Sequence, residues 1–230
     1  MGVRIAVFGT SELSAIYAAS MAELGHEVLG VDIDVAKITA LVNGEAPFYE
    51  PGLDDVIATN LDAGRLNFIS SYAEAAAFAD VHFTAVSTPQ KSDGLAADVS
   101  HVDAVIDSLS PLLTRPTVIY GKSTVPVGTA ARLARKVRAI SPAGESVELA
   151  WNPEFLREGS AVEDTLKPDR IDAQSYPKSI GGTRGAGNLP RRNSIWHNFC
   201  GHRPCHRGTR KDFSKCLFRN KNFVHKCDDK

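Results

Sequence analysis

Apolar positions open the chain in a short block, Val3-Arg4-Ile5-Ala6-Val7-Phe8, which Gly9-Thr10-Ser11 breaks. A brief apolar run bounded by a glycine turn is the pattern of a strand buried on both faces. From Leu13 the period changes. Leu13, Ile16, Tyr17, Met21 and Leu24 recur at helical spacing, and Gly25-His26 stops the run. A second apolar block, Glu27-Val28-Leu29-Gly30-Val31, ends on Asp32. Strand, helix and strand over about 30 residues make a βαβ unit, with parallel strands and a right-handed crossover.

The alternation continues. Ile38 to Val42 is helical in pattern, Asp80 to Val86 and Pro116 to Tyr120 are two more buried strands, and Val102 to Leu113 between them fits a helix. The expected class is therefore α/β, a Rossmann-type doubly wound parallel sheet covered on both faces.

Charge divides the chain in two. Residues 179–230 carry 12 Lys or Arg against 3 Asp or Glu, net +9; that leaves 14 basic and 24 acidic residues, net −10, in 1–178. All four cysteines (Cys200, Cys205, Cys216, Cys227) and four of the seven histidines lie in the basic part. The domains expected are 1–171, the α/β unit, and 172–230, an irregular basic tail too poor in apolar residues to offset its backbone entropy. No apolar run approaches the roughly 20 residues of a membrane span. The opening block is too short for a signal-peptide core, so a cytoplasmic location is expected.

In doubly wound sheets ligands bind beyond the carboxyl ends of the strands. Those ends are Gly9 to Ser14, Asp32, Ser87-Thr88-Pro89 and Lys122-Ser123-Thr124. An acid at Asp32, roughly 20 residues past the glycine turn, can accept both hydroxyls of an adenosine ribose and repels a 2′-phosphate, favouring NAD over NADP. The plainer alternative is a solvated turn aspartate; the βαβ context favours the ribose role. The dinucleotide fingerprint Gly-x-Gly-x-x-Gly is incomplete in Gly9-Thr10-Ser11-Glu12-Leu13-Ser14. Gly9 keeps the tight turn. Ser11 sets a Cβ at the pyrophosphate approach, Ser14 replaces the packing glycine, and Glu12 occupies the positive field of the helix start. A non-binding βαβ unit is the competing reading.

Longer motifs carry a resemblance. Tyr49-Glu50-Pro51-Gly52-Leu53, Lys122-Ser123-Thr124-Val125-Pro126-Val127-Gly128-Thr129 and Asn152-Pro153-Glu154-Phe155-Leu156-Arg157-Glu158-Gly159 resemble the UDP-glucose/GDP-mannose dehydrogenase family over about residues 1–178. Ala63-Gly64-Arg65-Leu66 and Lys167-Pro168-Asp169-Arg170-Ile171 support it. The resemblance implies an NAD-dependent four-electron oxidation of a nucleotide sugar of the UDP-glucose type. The C6 alcohol becomes an aldehyde, then a cysteine thioester, and water releases the carboxylate. It implies that Gly9, Ser11, Asp32, Lys37, Thr88, Thr124 and Glu158 line the NAD site. It implies that Glu154, Phe155, Leu156, Arg157 and Glu158 contact the nucleotide sugar. Glu154 would help hydrolyse the thioester, with Thr124 and Glu158 positioning the catalytic water. A buried glutamate with a raised pKa suits such work. Without the resemblance, Glu154 and Glu158 read as acids at a helix N-terminus. The chain departs from the family at Ser11, Ser14 and Ser87, where glycines are usual. The family's substrate lysine and nucleophilic cysteine have no in-frame counterpart, and the central helix that supports the family homodimer is missing with them. Inactivity is the expectation.

The tail has its own candidate chemistry. His197, Cys200, His202, Cys205, His206 and Cys216 are zinc-ligand types at spacings that fit no paired arrangement, so no metal is expected. Net +9 can hold phosphate without specificity, so no specific nucleic-acid partner is expected either. A third reading explains more. Read one base later, the codons of residues 203–228 can spell Asp-Leu-Ala-Thr-Ala-Glu-Leu-Val-Lys-Ile-Ser-Ala-Asn-Ala-Phe-Leu-Gly-Thr-Lys-Ile-Ser-Phe-Ile-Asn-Ala-Met. That string resembles the family's central helix, with its substrate lysine and asparagine. A frameshift near Lys178 is the expectation.

Overall fold

The computed structural model describes residues 2–46, 48–91, 94, 96–152, 156–167 and 174–176, the last for backbone only. Seven strands form one sheet: β1 (Arg4–Phe8), β2 (Glu27–Val31), β3 (Leu66–Ile69), β4 (Val81–Thr84), β5 (Thr117–Gly121), β6 (Val147–Trp151) and β7 (Gln174–Tyr176). Their order is β3-β2-β1-β4-β5-β6-β7, with the first six parallel and β7 antiparallel to β6. This is the expected doubly wound sheet. It runs on past residue 171, where the sequence reading ended the domain, because a three-residue edge strand carries no hydrophobic period.

The helices are α1 (Glu12–Glu23), α2 (Val35–Val42), α3 (Leu53–Asp62), α4 (Tyr72–Phe78), α5 (Ser100–Leu109), α6 (Thr129–Ile140) and α7 (Ala161–Leu166). Alternation along the strands sorts them into two layers. On β1, Ile5 and Val7 join the apolar cluster under α1, α3 and α7. Ala6 and Phe8 join the one under α4, α5 and α6. Helix α1 is buried all round from Ser14 to Ala22, since the sheet lies on one side and α3 and α7 on the other. Phe83 sits between the rings of Tyr17 and Tyr120, with centroids 6.3 and 5.1 Å away. Burying a side chain of that size contributes about 1.5–3 kcal/mol.

Two boundaries differ from the sequence expectation for local reasons. The helix expected to reach Leu113 ends at Leu109, and Ser110–Leu112 tightens into a 3-10 turn at Pro111. The strand expected over 80–86 is shorter, Val81–Thr84. Asp80 turns out of it to close the amino end of the sheet, accepting from Arg4 at 3.0 Å and from Arg115. Burial alone would raise this carboxyl, but hydrogen bonds from Arg115 and Arg4 outweigh it and hold it below the usual carboxylate range.

Candidate functional site

The strand order reverses between β1 and β4. A cleft of about 460 Å³ opens there, at the carboxyl ends, lined by Thr10, Ser11, Glu12, Leu13, Lys37, Phe48, Ala85, Val86 and Ser87. Such a switch point is where doubly wound sheets bind ligands.

Gly9 makes the turn into the cleft. Its φ is +103°, and its N–H donates to the Val31 carbonyl at 2.8 Å. A Cβ there would stand 3.2 Å from the Ala85 carbonyl oxygen, so dihedral and space both demand glycine. Ser11 is different. Its φ of −67° and ψ of 171° suit any residue, and its hydroxyl leaves the helix end uncapped. It lies 3.3 Å from the Ser14 hydroxyl, which donates to the Ser11 carbonyl at 3.0 Å. Glu12 is exposed in the first turn of α1.

Asp32 stands where β2 ends. Its Oδ2 accepts the Thr10 N–H at 2.7 Å and the Thr10 hydroxyl at 2.6 Å, and its Oδ1 accepts the Asp34 N–H at 2.9 Å. A carboxylate offers about four lone-pair sites, so a ribose diol can gain both bonds only if Thr10 gives one up. Tyr72 belongs to this corner and was missed by the sequence reading. Burial, and then the Asp32 charge, push its phenol up.

Across the cleft, loops from separate strands are tied together. The Ser123 hydroxyl donates to the Val86 carbonyl at 2.6 Å, and Thr88 Oγ1 donates to the Thr124 carbonyl at 2.9 Å. Trp151 Nε1 donates to the Ser123 carbonyl at 2.9 Å, and its ring lies against Gly121, where any Cβ would overlap it. Lys122 is buried and donates from Nζ to Asn152 Oδ1 at 2.8 Å. Burial pushes its ammonium down to about 7.

Beyond β6 the structure describes only part of the expected sugar-binding set. Glu154 and Phe155 lie outside the described residues. Leu156 packs against the apolar cluster under α1. Arg157 forms a two-pronged pair with Asp164, Nε to Oδ2 at 3.0 Å and Nη2 to Oδ1 at 2.6 Å, and that pair holds Asp164 low. Glu158 is exposed rather than buried, in a turn ahead of Ser160, the residue before α7, so it is not in that helix's first turn either. Glu50, quoted in a motif but given no role, accepts the N–H of Gly159 at 2.9 Å and of Ala161 at 2.7 Å. Only a contact across the whole fold reveals that role.

Residues 3–179 match the model of the UDP-glucose/GDP-mannose dehydrogenase family, NAD binding domain. The chain belongs to the UDP-glucose/GDP-mannose dehydrogenase family. Among curated members, it is 43% identical over 169 residues to UDP-glucose 6-dehydrogenase of Rhizobium meliloti, covering 74% of this chain and 38% of that one. It is 43% identical over 184 residues to UDP-glucose 6-dehydrogenase of Pseudomonas aeruginosa, covering 79% and 40%. A solved UDP-glucose dehydrogenase from Pyrobaculum islandicum superposes with a TM-score of 0.71 at 37% identity, covering 76% of this chain and 41% of the other. The chain thus spans about two fifths of the length of these relatives.

The family's cofactor for this domain is NAD, and the residues fit it unevenly. Lys37 lines the cleft; Gly9 turns the chain ahead of it, and Asp32 reaches it only through its hydrogen bonds to Thr10. Ser11 and Glu12 add bulk and negative charge at the same turn. Thr88 and Thr124 meet each other through one hydrogen bond rather than lining the cleft's inner wall. Among the described residues no group of three His, Cys, Asp or Glu could hold a metal ion, and no helix is long and apolar enough to cross a membrane. The histidines and cysteines of the tail lie outside the described residues.

Proposed function

We propose that this chain carries the cofactor-binding half of a cytosolic UDP-glucose 6-dehydrogenase-type enzyme, and that in the reading frame given it does not complete the oxidation. The observation that carries the first part is the cleft at the β1–β4 switch point, lined by Thr10 to Leu13, by Lys37 and by Ala85 to Ser87, with Asp32 bonded to Thr10 at its edge. Bound NAD supplies hydride acceptance. The chain's own residues do the rest of the holding: Gly9 lets the backbone turn close, Asp32 receives ribose hydroxyls, and Lys37 offsets phosphate charge. On the sugar side, Glu154 and Glu158 would handle protons and, with Thr124, hold the attacking water.

The second part rests on composition. Residues 1–178 contain no cysteine, and a thioester route needs a nucleophilic thiol at a defined place. The codon-phase match in residues 203–228 supports a frameshift near Lys178 as the reason. The family homodimer would lose its central helix with it. Calorimetry of the full chain should detect NAD binding, and absorbance should detect no NADH with UDP-glucose. Absent NAD binding overturns the first part, and substrate-dependent NADH overturns the second. Sequencing around the Lys178 codon tests the frameshift separately: deleting one base or adding two should open a long frame through the family's lysine and cysteine motifs. Stop codons directly in that shifted frame would refute it.

A further inference from the structure

Strand β3 stands first in the sheet order, so among the described residues no strand pairs with its outer side. The ladder to β2 decides which backbone groups point that way. The Val28 N–H donates to the Arg65 carbonyl at 2.7 Å, and the Asp32 N–H to the Ile69 carbonyl at 3.2 Å. Residues 65, 67 and 69 therefore bond inward to β2, and by alternation Leu66 and Phe68 turn their N–H and C=O groups outward. Such a row is a template for a further strand. The common defences are missing. Leu66-Asn67-Phe68-Ile69 holds no charge and no proline, and it pairs with β2 in unbroken register, without a bulge. Phe68 is pinned in place, since its ring fills the space over Gly30, where any Cβ would overlap it. Helix α2, which packs on β3, leaves Val35 and Val42 exposed. One defence is present. The Phe68 N–H donates to Oδ1 of Asn67 at 2.8 Å. Asn67 is exposed between two buried side chains, and its amide takes the bond that the carbonyl of a neighbouring strand would take.

We propose that Asn67 is a plug that keeps the β3 edge from pairing with the β3 edge of a second copy of this chain. A second copy is the partner kept out because the edge is self-complementary. A two-fold axis beside it sets an uncharged strand antiparallel to itself, with the outward N–H and C=O groups of one copy facing those of the other. The valines that α2 exposes lie on the helix next to that seam. Without the Asn67 acceptor the Phe68 N–H needs another partner, and the edge is open.

The test is sedimentation velocity of the full chain, under reducing conditions and over a concentration series, with hydrogen exchange at the Phe68 amide read by NMR. Asn67→Ala removes the acceptor without adding apolar surface. Asn67→Val also favours the extended strand. Asn67→Asp keeps an acceptor oxygen and adds a charge. Self-association should strengthen about tenfold over the parent in Asn67→Val, less in Asn67→Ala, and not at all in Asn67→Asp. In dilute samples of the alanine and valine variants the Phe68 amide should exchange about tenfold faster than in the parent, and it should slow again as concentration rises. Should Asn67→Val not fold, Asn67→Ala decides alone. No gain in self-association overturns the proposal. So does association that leaves the Phe68 amide exchanging as fast as in dilute solution, because the copies then meet elsewhere.

Discussion

The two halves of the sheet meet the cleft in different ways. In the first, β1 to β3, Ser11 and Ser14 contact each other within the loop after β1, and one residue, Thr10, ties that loop to Asp32 at the end of β2. In the second, β4 to β6, every loop leans on another strand's loop, through Ser123 to Val86, Thr88 to Thr124, Trp151 to Ser123 and Lys122 to Asn152. The difference explains which departures from the family pattern the fold absorbs. Apart from Gly9, the first turn has dihedrals open to ordinary residues, so serine costs bulk at the ligand and little in the backbone. The network across strands tolerates less exchange, because at its buried members, Lys122 with Asn152 and Trp151 with Ser123, a removed partner leaves a buried polar group unpaired.

That contrast can be broken at several points. The largest effect is expected in the second half, where Gly121→Ala would drive a methyl into the Trp151 ring. Overpacking against a fixed indole should cost about 3 kcal/mol, read as a lowered urea midpoint, and Ser14→Gly in the first half should move that midpoint far less. Equal shifts would erase the distinction. Next comes His82 on β4, fully buried, its Nδ1 3.0 Å from the Thr117 hydroxyl. Burial, then the Arg115 charge, lower it from 6.5 to about 4. The unfolded chain therefore binds the extra proton between those values. Stability is full above pH 6.5 and falls as pH drops to about 4, by up to about 3 kcal/mol. His82→Leu should flatten the acid limb of a stability–pH curve, and an unaltered limb would show that another group controls it.

The first half should respond in binding rather than in stability. Asp32→Asn should weaken NAD about tenfold, equivalent to about 1.4 kcal/mol, and narrow the preference over NADP; calorimetry with both cofactors decides it. Smallest is the gain from Ser11→Gly with Glu12→Tyr. Removing a carboxylate that interacts with the helix start by about 0.3–1 kcal/mol should tighten NAD about two- to fivefold. Unchanged or weaker affinity would mean that the turn was never the weak point.

How much of this was legible in the sequence depends on range. The β1–α1–β2 unit is local, and its residues announced it; the helix runs Glu12–Glu23 against an expected 13–24. Helix α3 and strand β3 went unread. Leu53, Ile57 and Asn60 form the buried face of α3, one of them polar, and β3 has only Leu66 and Phe68 fully buried among its four residues. Helix α4 buries Ala75 and Ala76, too little apolar contrast for a period to show. Helix α6 and strand β6 carried ordinary patterns, Leu133, Ala134 and Val137 on one and Val147, Leu149 and Trp151 on the other, but the motifs beside them drew the reading instead. The turn at Gly9 and the place of Asp32 at the end of β2 were legible because both follow from one βαβ unit, whereas Lys37, in α2, came only from the resemblance. The partners of Glu50 and Lys122 were not, since nothing near either residue in the chain hints at a contact 109 or 30 positions away. The exposure of Glu158 was misread for the same reason, because the turn that carries it is set from outside its own stretch of sequence.

The Glu50 contact also bears on the order of events during synthesis. Residues 50 and 159 are 109 apart, and contacts of such long range close late because the entropy of the intervening chain must be overcome first. A ribosome delivers residue 50 well before residue 159, so this carboxylate emerges with its amide partners still unmade. Until they arrive it stays hydrated, and the growing chain is spared a buried charge. The last of these partners to be translated, Ala161, then marks a checkpoint: nascent chains arrested before it should lack the completed Glu50 contact, while those extended past it can acquire it.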